Sequence, residues 1–513
     1  MVQLHNQSHP AADLSPRPAV ATLGELRASG HSFMTVKEEI RQNLLARMRA
    51  GEDRFPGIVG FGQTVLPHLE RALLAGHDTI LLGERGQGKT RLIRTLPTLL
   101  DEWTPTVAGC EINDHPYQPA CARCRRLAAE LGDDLPVTWR HRSERYGEKL
   151  ATPDTSVGDL IGDIDPVKVA EGRTLGDPET IHFGLVPRTN RGVFCLNELP
   201  DLAERIQVAL LNVLEERDIG VRGYALRLPL DLVLVASANP EDYTNRGRII
   251  TPLKDRFGAE IRTHYPVSLE DEIALAKQES LISWNGADPG AALPEHLMEV
   301  IARFTRLVRA SPAVDSRSGV SARFAIAAAE SAAASALRRA ALTGETQPVA
   351  RICDLPTTVS TLRGKVEFEV SEEGREQEVL EHLLRRAVAE TFRARLGSAD
   401  LTGLLATFEG GGSVESGDLV PAADLLQRIG EVPGLARIMG RLGMDGGDES
   451  FGDAAAALEF ALEGLYLMRR LSKDAIDGGA IYRTGGPRQR GAAPPGLRRR
   501  TRNERGTTRE GGA

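Results

Sequence analysis

The sequence predicts an α/β protein: a parallel sheet flanked by helices and built around a phosphate-binding loop, then an α-helical lid and a mainly helical C-terminal region. Three observations carry this expectation. An apolar run, Thr79–Leu82, leads into Gly83-Glu84-Arg85-Gly86-Gln87-Gly88-Lys89-Thr90 and then into a helical segment, Arg91–Leu96. Strand, glycine loop, Gly-Lys-Thr and helix in that order form the context of a phosphate-binding loop. Two further apolar runs, Val193–Leu196 and Asp231–Ala238, end in Asn197-Glu198 and in Asn239, as buried parallel strands with ligand-facing ends do. From about Ser268 the pattern turns helical.

A chain of 513 residues is too long for one ordinary core, so two to four domains are expected. Charged residues make up 26% and hydrophobic ones 41%, a globular balance. The net charge of −8 gives no overall reason to expect a nucleic-acid partner. No apolar run is long enough to span a bilayer. Met1–Pro18 lacks the basic start and apolar core of a secretory signal. Five cysteines, three of them clustered, do not suggest a disulfide framework. These features fit a cytoplasmic protein.

Residues 1–32 are expected to be disordered or weakly ordered. Val36–Ala50 has apolar residues at helical spacing, and a second helix runs through Leu66, Leu69, Leu73 and Leu74. Between them, Arg54–Gly62 is an apolar turn. It could hold a flat base or be a plain packing turn. Beyond the loop helix, an insertion is expected over about 105–190. It contains Cys110 and a Cys121-x-x-Cys124 pair. A structural zinc site could draw on Cys110, Cys121, Cys124 and His115; the alternative is reduced thiols in a surface loop. A helix carries Ile206, Leu210, Leu211 and Leu214, and an alternating hairpin follows at 219–230. Helices are expected over Ser268–Ile282, Pro294–Ala310 and Ser321–Leu342, and then over Glu376–Leu396, Pro421–Ile429 and Ala454–Leu471. Gly410-Gly411-Gly412 and Asp445-Gly446-Gly447-Asp448 read as linkers. The resulting divisions are an α/β domain at 33–266, a lid at 267–345, an accessory region at 346–475 and a disordered basic tail at 476–513.

The residue types suit phosphate chemistry. Glycines let consecutive backbone N–H groups turn inward around phosphate oxygens, and the helix start adds partial positive charge. Lys89 can reach terminal phosphates, and the Thr90 hydroxyl can ligate Mg2+. Glu198, at the end of a neighbouring strand, can activate a water, and Asn239 can position it. The plain alternatives are a helix cap for Glu198 and an Asn-Pro turn for Asn239.

Over residues 33–345 this pattern resembles the AAA+ ATPases, in the branch of the magnesium chelatase ATPase subunit and the MoxR-type ATPases. Gly192–Leu199 looks like a Walker B strand, Ser237–Pro240 like sensor one, Leu253–Phe257 like an arginine-finger segment and Gly319–Phe324 like sensor two. The resemblance implies ATP and Mg2+ as ligands. It implies phosphate contacts from Gly83–Thr90 and Arg91, an adenine pocket lined by Ile58, Val59 and Gly60, and Glu198 as catalytic base. Arg256 would reach into a neighbouring subunit's ATP, and Arg323, with Arg317 as a competitor, would contact the γ-phosphate. A finger supplied from a neighbour implies a ring of copies, a hexamer in the family.

One departure stands out. The Walker B motif ends Asn197-Glu198 where the family has Asp-Glu. Asn keeps an oxygen for Mg2+ and loses the charge, which predicts weaker Mg2+ binding or slower turnover. The resemblance implies an ATPase that remodels or activates a client, with a separate von Willebrand A domain partner. Alternatives are a chelatase subunit proper, an AAA+ transcription activator, and a nucleotide-gated scaffold with little hydrolysis. The activator reading lacks its Gly-Ala-Phe-Thr-Gly-Ala loop and an obvious helix-turn-helix.

Overall fold

The structure, a computed structural model, describes residues 15–165, 167, 170, 180–215, 219–221, 224–226, 228–240, 248–282, 290–315, 319–409, 411–444 and 451–484, and of 213–227 the backbone only. Arg317, Gly410, the 445–448 linker and the tail from 485 lie outside them. The chain divides into two compact units. One is Met1–Pro289, Leu297–Ala333 and Leu355–Ala387; the other is Gly290–His296, Ala334–Asp354 and Val388–Ala513.

The strands of the first unit are β1 (Thr79–Leu82), β2 (Trp103–Val107), β3 (Val137–His141), β4 (Tyr146–Leu150), β5 (Gly162–Ile164), β6 (Ile181–Phe183), β7 (Val193–Asn197), β8 (Ile219–Val221), β9 (Tyr224–Leu226), β10 (Val233–Ala238) and β11 (Ala259–Arg262). Five of them form the main sheet, in the order β11-β1-β10-β7-β4. Every pairing in it is parallel. Strand alternation splits its side chains between two cores. Ile80, Leu82, Phe194, Leu196, Leu234 and Ala236 enter one; Leu81, Val193, Cys195, Val233 and Val235 enter the other. Each Val, Leu, Ile or Phe among them contributes roughly 1.5–3 kcal/mol when fully buried. The second core is closed by the helices Val36–Ala50 and Val65–Leu74. A capping box at Thr35 and Glu38 starts the former, and Gly51 in the left-handed region ends it.

Three expectations need correction. The stretch 15–32 is not weakly ordered. Thr22 caps a helix, Leu23–Ala28, whose Leu23 and Leu26 are buried. The Val137 amide bonds Ala21 O at 2.8 Å, so a short polar stretch is ordered by the β2–β3 ribbon it lies on. Residues 105–190 are not all insertion, because β4 is the edge strand beside β7. Its sequence, Tyr-Gly-Glu-Lys-Leu, lacks the apolar run of a central strand because an edge strand need bury less. Finally, order extends past 476.

In the second unit, β12 (Ser413–Gly417), β13 (Leu471–Ile476) and β14 (Gly479–Thr484) form an antiparallel sheet in the order β12-β14-β13. Only Ala480 and Tyr482 of β14 are buried, too few for the sequence to signal a strand. The helix Phe451–Leu467 is buried on almost every side, with Ala455–Leu465 all buried. Among the described residues no helix is long and apolar enough to cross a membrane.

Candidate nucleotide site

Because the main sheet is parallel, the C-terminal ends of β1, β10 and β7 open on one edge. β1 runs into the glycine loop, and Gly88 precedes the helix Lys89–Thr95. Gly86 has φ +74°, and a Cβ there would sit 2.1 Å from Ser321 Cβ. Only glycine suits that backbone, and the Gly319–Phe324 segment packs directly on the loop. Tyr265 reinforces this, its hydroxyl donating to Arg85 O at 2.8 Å.

Lys89 is buried and donates to Gly83 O, to Glu84 O at 2.9 Å and to Asn239 Oδ1 at 2.8 Å. Asn239 Nδ2 in turn donates to Glu198 Oε2 at 2.8 Å. One amide, at the end of β10, thus joins the loop lysine after β1 to the carboxylate after β7, two strands away. Glu198 has φ +55°, a left-handed conformation that is uncommon outside glycine, and its amide donates to Ser237 Oγ at 3.3 Å.

Asn197 Oδ1 accepts from Ser237 Oγ at 3.1 Å and lies 3.5 Å from Thr90 Oγ1, while Nδ2 donates to Glu148 Oε1 at 2.7 Å. The amide therefore presents its oxygen toward Thr90 and its nitrogen toward Glu148. Glu148, on β4, also takes two 2.9 Å bonds from Arg94 and one from the Tyr146 hydroxyl. Burial alone would raise its carboxyl, but the bonds from Arg94, Tyr146 and Asn197 outweigh it and hold Glu148 below the usual range. Burial pushes the neighbouring Cys195 thiol up to about 12, so it stays protonated.

A cleft of about 900 Å³ runs along this edge. It is lined by Ile58, Val59 and Phe61 at one end, by Arg85–Arg91 along the loop, and by Glu198, Leu275, Ala322 and Arg323. Arg91 ties the apolar end to the loop through Gly57 O at 3.2 Å and Glu279 at 2.5 Å. Of the residues expected at the site, Ile58, Val59, Arg85–Arg91, Glu198 and Arg323 line the cleft, while Gly83, Glu84, Asn197 and Asn239 join it only through their hydrogen bonds to Lys89, Thr90 and Glu198. Gly60 is not in the lining, with Gly57 and Phe61 there instead. Arg256 is exposed in the last turn of the helix Thr251–Arg256 and does not line this cleft. Glu148 and Arg94 were not anticipated, and Ser321 only as part of the Gly319–Phe324 segment. The alternation Tyr146-x-Glu148 was the available signal for an edge strand holding a carboxylate.

The cysteine cluster is a separate feature. Cys110, Asp114, Cys121 and Cys124 have ligand atoms within 4.8 Å of one another. His115 is not in this group. It stacks on His31, with Nε2 atoms 3.3 Å apart, and its Nδ1 accepts from the Tyr117 amide at 3.1 Å. Burial pushes its imidazole down to about 3. Beside the three cysteines stands a fully buried Asp114, while His115, named with them from the sequence, lies outside the group. Burial raises the Asp114 carboxyl to about 7.

A parallel sheet with a glycine loop, Gly-Lys-Thr and polar strand ends converging on one cleft defines a P-loop fold, of the kind the AAA+ resemblance implies. In sequence the chain is similar to magnesium-chelatase subunits. It is 30% identical over 234 residues to the magnesium-chelatase 38 kDa subunit of Cereibacter sphaeroides, a match covering 43% of this chain and 61% of that one. It is also 30% identical over 205 residues to the magnesium-chelatase subunit ChlI of Anabaena variabilis, covering 39% and 57%. The chain thus spans little more than half the length of these curated relatives. No family model matches. Similar solved structures include a complex of magnesium chelatase subunits BchI and BchD (21% identity, TM-score 0.33, 64% of this chain and 98% of that one). Another is the RuvB branch migration motor of Thermotoga maritima (15% identity, TM-score 0.32, 72% and 80%).

Proposed function

We propose that this chain binds and hydrolyses ATP and uses the cycle to remodel or activate a partner protein. The observation that carries the reading is the Lys89–Asn239–Glu198 connection at the edge of the cleft. The glycine loop and Lys89 bind the phosphates. Glu198 accepts a proton from the attacking water, and Asn239 orients that carboxylate while reading whether Lys89 is engaged. Ile58 and Val59 cover the base, and Arg323 reaches the terminal phosphate from the lid side. Thr90 and Asn197, whose oxygens face each other, would hold Mg2+. When bound, Mg2+ neutralises phosphate charge and orients the oxygens.

Arg256, exposed and outside its own chain's cleft, suits a finger offered to a neighbouring copy. We therefore read the working form as a ring of copies, a hexamer as in the family. The curated relatives are named as subunits of magnesium chelatase, and from them we carry the expectation of a separate partner. A von Willebrand A domain protein is the candidate. The test measures phosphate release, nucleotide binding and mass in solution. Wild type should hydrolyse ATP and assemble with it; Glu198→Gln should bind and assemble without hydrolysis; Arg256→Ala should bind but turn over poorly. Equal phosphate release from wild type and Glu198→Gln would overturn the reading. It would favour the second one, a nucleotide-gated scaffold, for which the uncharged Asn197 speaks.

A further inference from the structure

We infer that Cys110, Asp114, Cys121 and Cys124 form a closed structural zinc site. The four residues approach from separate pieces of chain: the turn after β2, the loop at 114, and the first turn of the helix Ala122–Leu131. A tetrahedral zinc with bonds of about 2.3 Å to sulfur separates its ligands by roughly 3.8 Å. The four ligand atoms already lie within 4.8 Å of one another, so closing on an ion asks only for small side-chain rotations. The sulfurs are not paired as disulfides.

The surroundings match a metal site rather than a packing cluster. Backbone amides donate to two of the sulfurs: Asp114 N to Cys110 Sγ and Cys124 N to Cys121 Sγ, each at 3.3 Å. Such bonds stabilise thiolates and hold a Cys-x-x-Cys turn in its ligating shape. Asp114 is fixed through one oxygen only. Oδ2 accepts from Ala120 N at 3.0 Å and Cys121 N at 2.8 Å. Oδ1 is buried with no hydrogen-bond partner among the described residues. A buried carboxylate oxygen without a partner is costly, and a cation held by three sulfurs supplies one. Zinc suits the set, since sulfur-rich tetrahedral sites favour it over magnesium or calcium. On binding, the cysteine thiols give up their protons to solvent.

The site has a structural purpose independent of the proposed ATPase. Ile112, between the ligands, is fully buried, and its carbonyl accepts from Asn190 Nδ2 at 3.0 Å. Asn190 Oδ1 accepts from Asp231 N at 2.8 Å. Asn113 Nδ2 donates to Arg188 O at 2.7 Å. An ion here clips the loop to the segments that enter β7 and β10.

The test is metal content of the full chain, purified reduced and without chelator, together with Co2+ titration of the metal-free protein. We expect about one zinc per chain and, with Co2+, the thiolate-to-metal charge-transfer bands of a tetrahedral sulfur-rich site. Cys124→Ser should fall to background zinc. His115→Ala should keep its metal, and Asp114→Ala should keep the sulfur bands but lose metal to a weaker chelator. Chelation of the wild type should lower its melting temperature. A wild-type chain that takes up neither zinc nor Co2+ would overturn the inference. So would a folded His115→Ala variant that loses the metal while Asp114→Ala holds it unchanged, or a Cys121–Cys124 disulfide as the resting state. The wild-type and His115 measurements decide the matter even if Cys124→Ser does not fold.

Discussion

The candidate nucleotide cleft of the first unit and the polar cluster of the second both take ionisable groups out of water, by different arrangements. In the second unit, Arg339 pairs with Asp354 at 2.7 Å, and Arg351 with Glu459 at 3.3 Å. All four are at most 1% exposed. Their bonds go to one another and to local backbone and hydroxyl groups, such as Val349 O and Ser416 Oγ. In the first unit, Lys89 and Asn239 are almost as buried, yet their chain of bonds ends on Glu198, which lines a cleft. Burial of charge alone therefore does not mark chemistry here. What marks it is a buried polar chain with one end open to a ligand-sized space.

The contrast can be tested, most strongly at its open end. Glu198→Gln should cut ATP hydrolysis by about 10²- to 10⁴-fold while leaving nucleotide binding in place, as measured by phosphate release and equilibrium binding. In the closed cluster the effect should fall on stability. Asp354→Ala removes the nearer carboxylate from the Arg339 guanidinium, leaving Glu345 at 3.4 Å, and should cost about 3 kcal/mol in denaturant unfolding, the low end for breaking a buried pair. Conversion of Arg339 and Asp354 together to apolar residues should recover much of that loss.

A smaller effect follows from His296, held by burial at about 3 against an ordinary 6.5. Its ring packs on Phe460. A histidine depressed in the folded state binds its proton more readily when unfolded. Stability is therefore retained above pH 6.5 and lost as pH falls toward 3. At pH 5 the loss is about 2 kcal/mol, and His296→Leu should flatten that part of the stability–pH curve.

A change of similar or smaller size is expected at Asn197. Its Nδ2 donates to Glu148, so Asn197→Asp sets an oxygen against a carboxylate and should cost about 1–3 kcal/mol without Mg2+. With Mg2+, the added charge should lower the half-saturating concentration for hydrolysis several-fold. An unchanged Mg2+ dependence would show that Asn197 does not face the metal.

Much of this was legible because local chemistry repeats in fixed order. Thr79–Leu82, Gly83–Thr90, Val193–Glu198 and Val233–Asn239 announce themselves through apolar runs ended by polar residues, and the helices from Leu269 onward through their period. β4 was missed because an edge strand buries few side chains, and β14, the middle strand of its small sheet, because only Ala480 and Tyr482 of it are buried. Glu148 went with β4. His115 was chosen as a metal ligand for its residue type, but ligation depends on where a side chain points. The backbone turns His115 toward His31 and Asp114 toward the sulfurs.

The sequence by itself determined the class of the protein and its central pieces, since a glycine loop, a Gly-Lys-Thr and polar strand ends have meaning at short range. Only the tertiary structure decided which distant residues meet. It brought Asn239 between Lys89 and Glu198, Glu148 behind Asn197, Ser321 against Gly86, and Asp114 among three cysteines. Those meetings depend on strand order and on which face each turn presents. Long-range packing sets both, and no local pattern of residues encodes them.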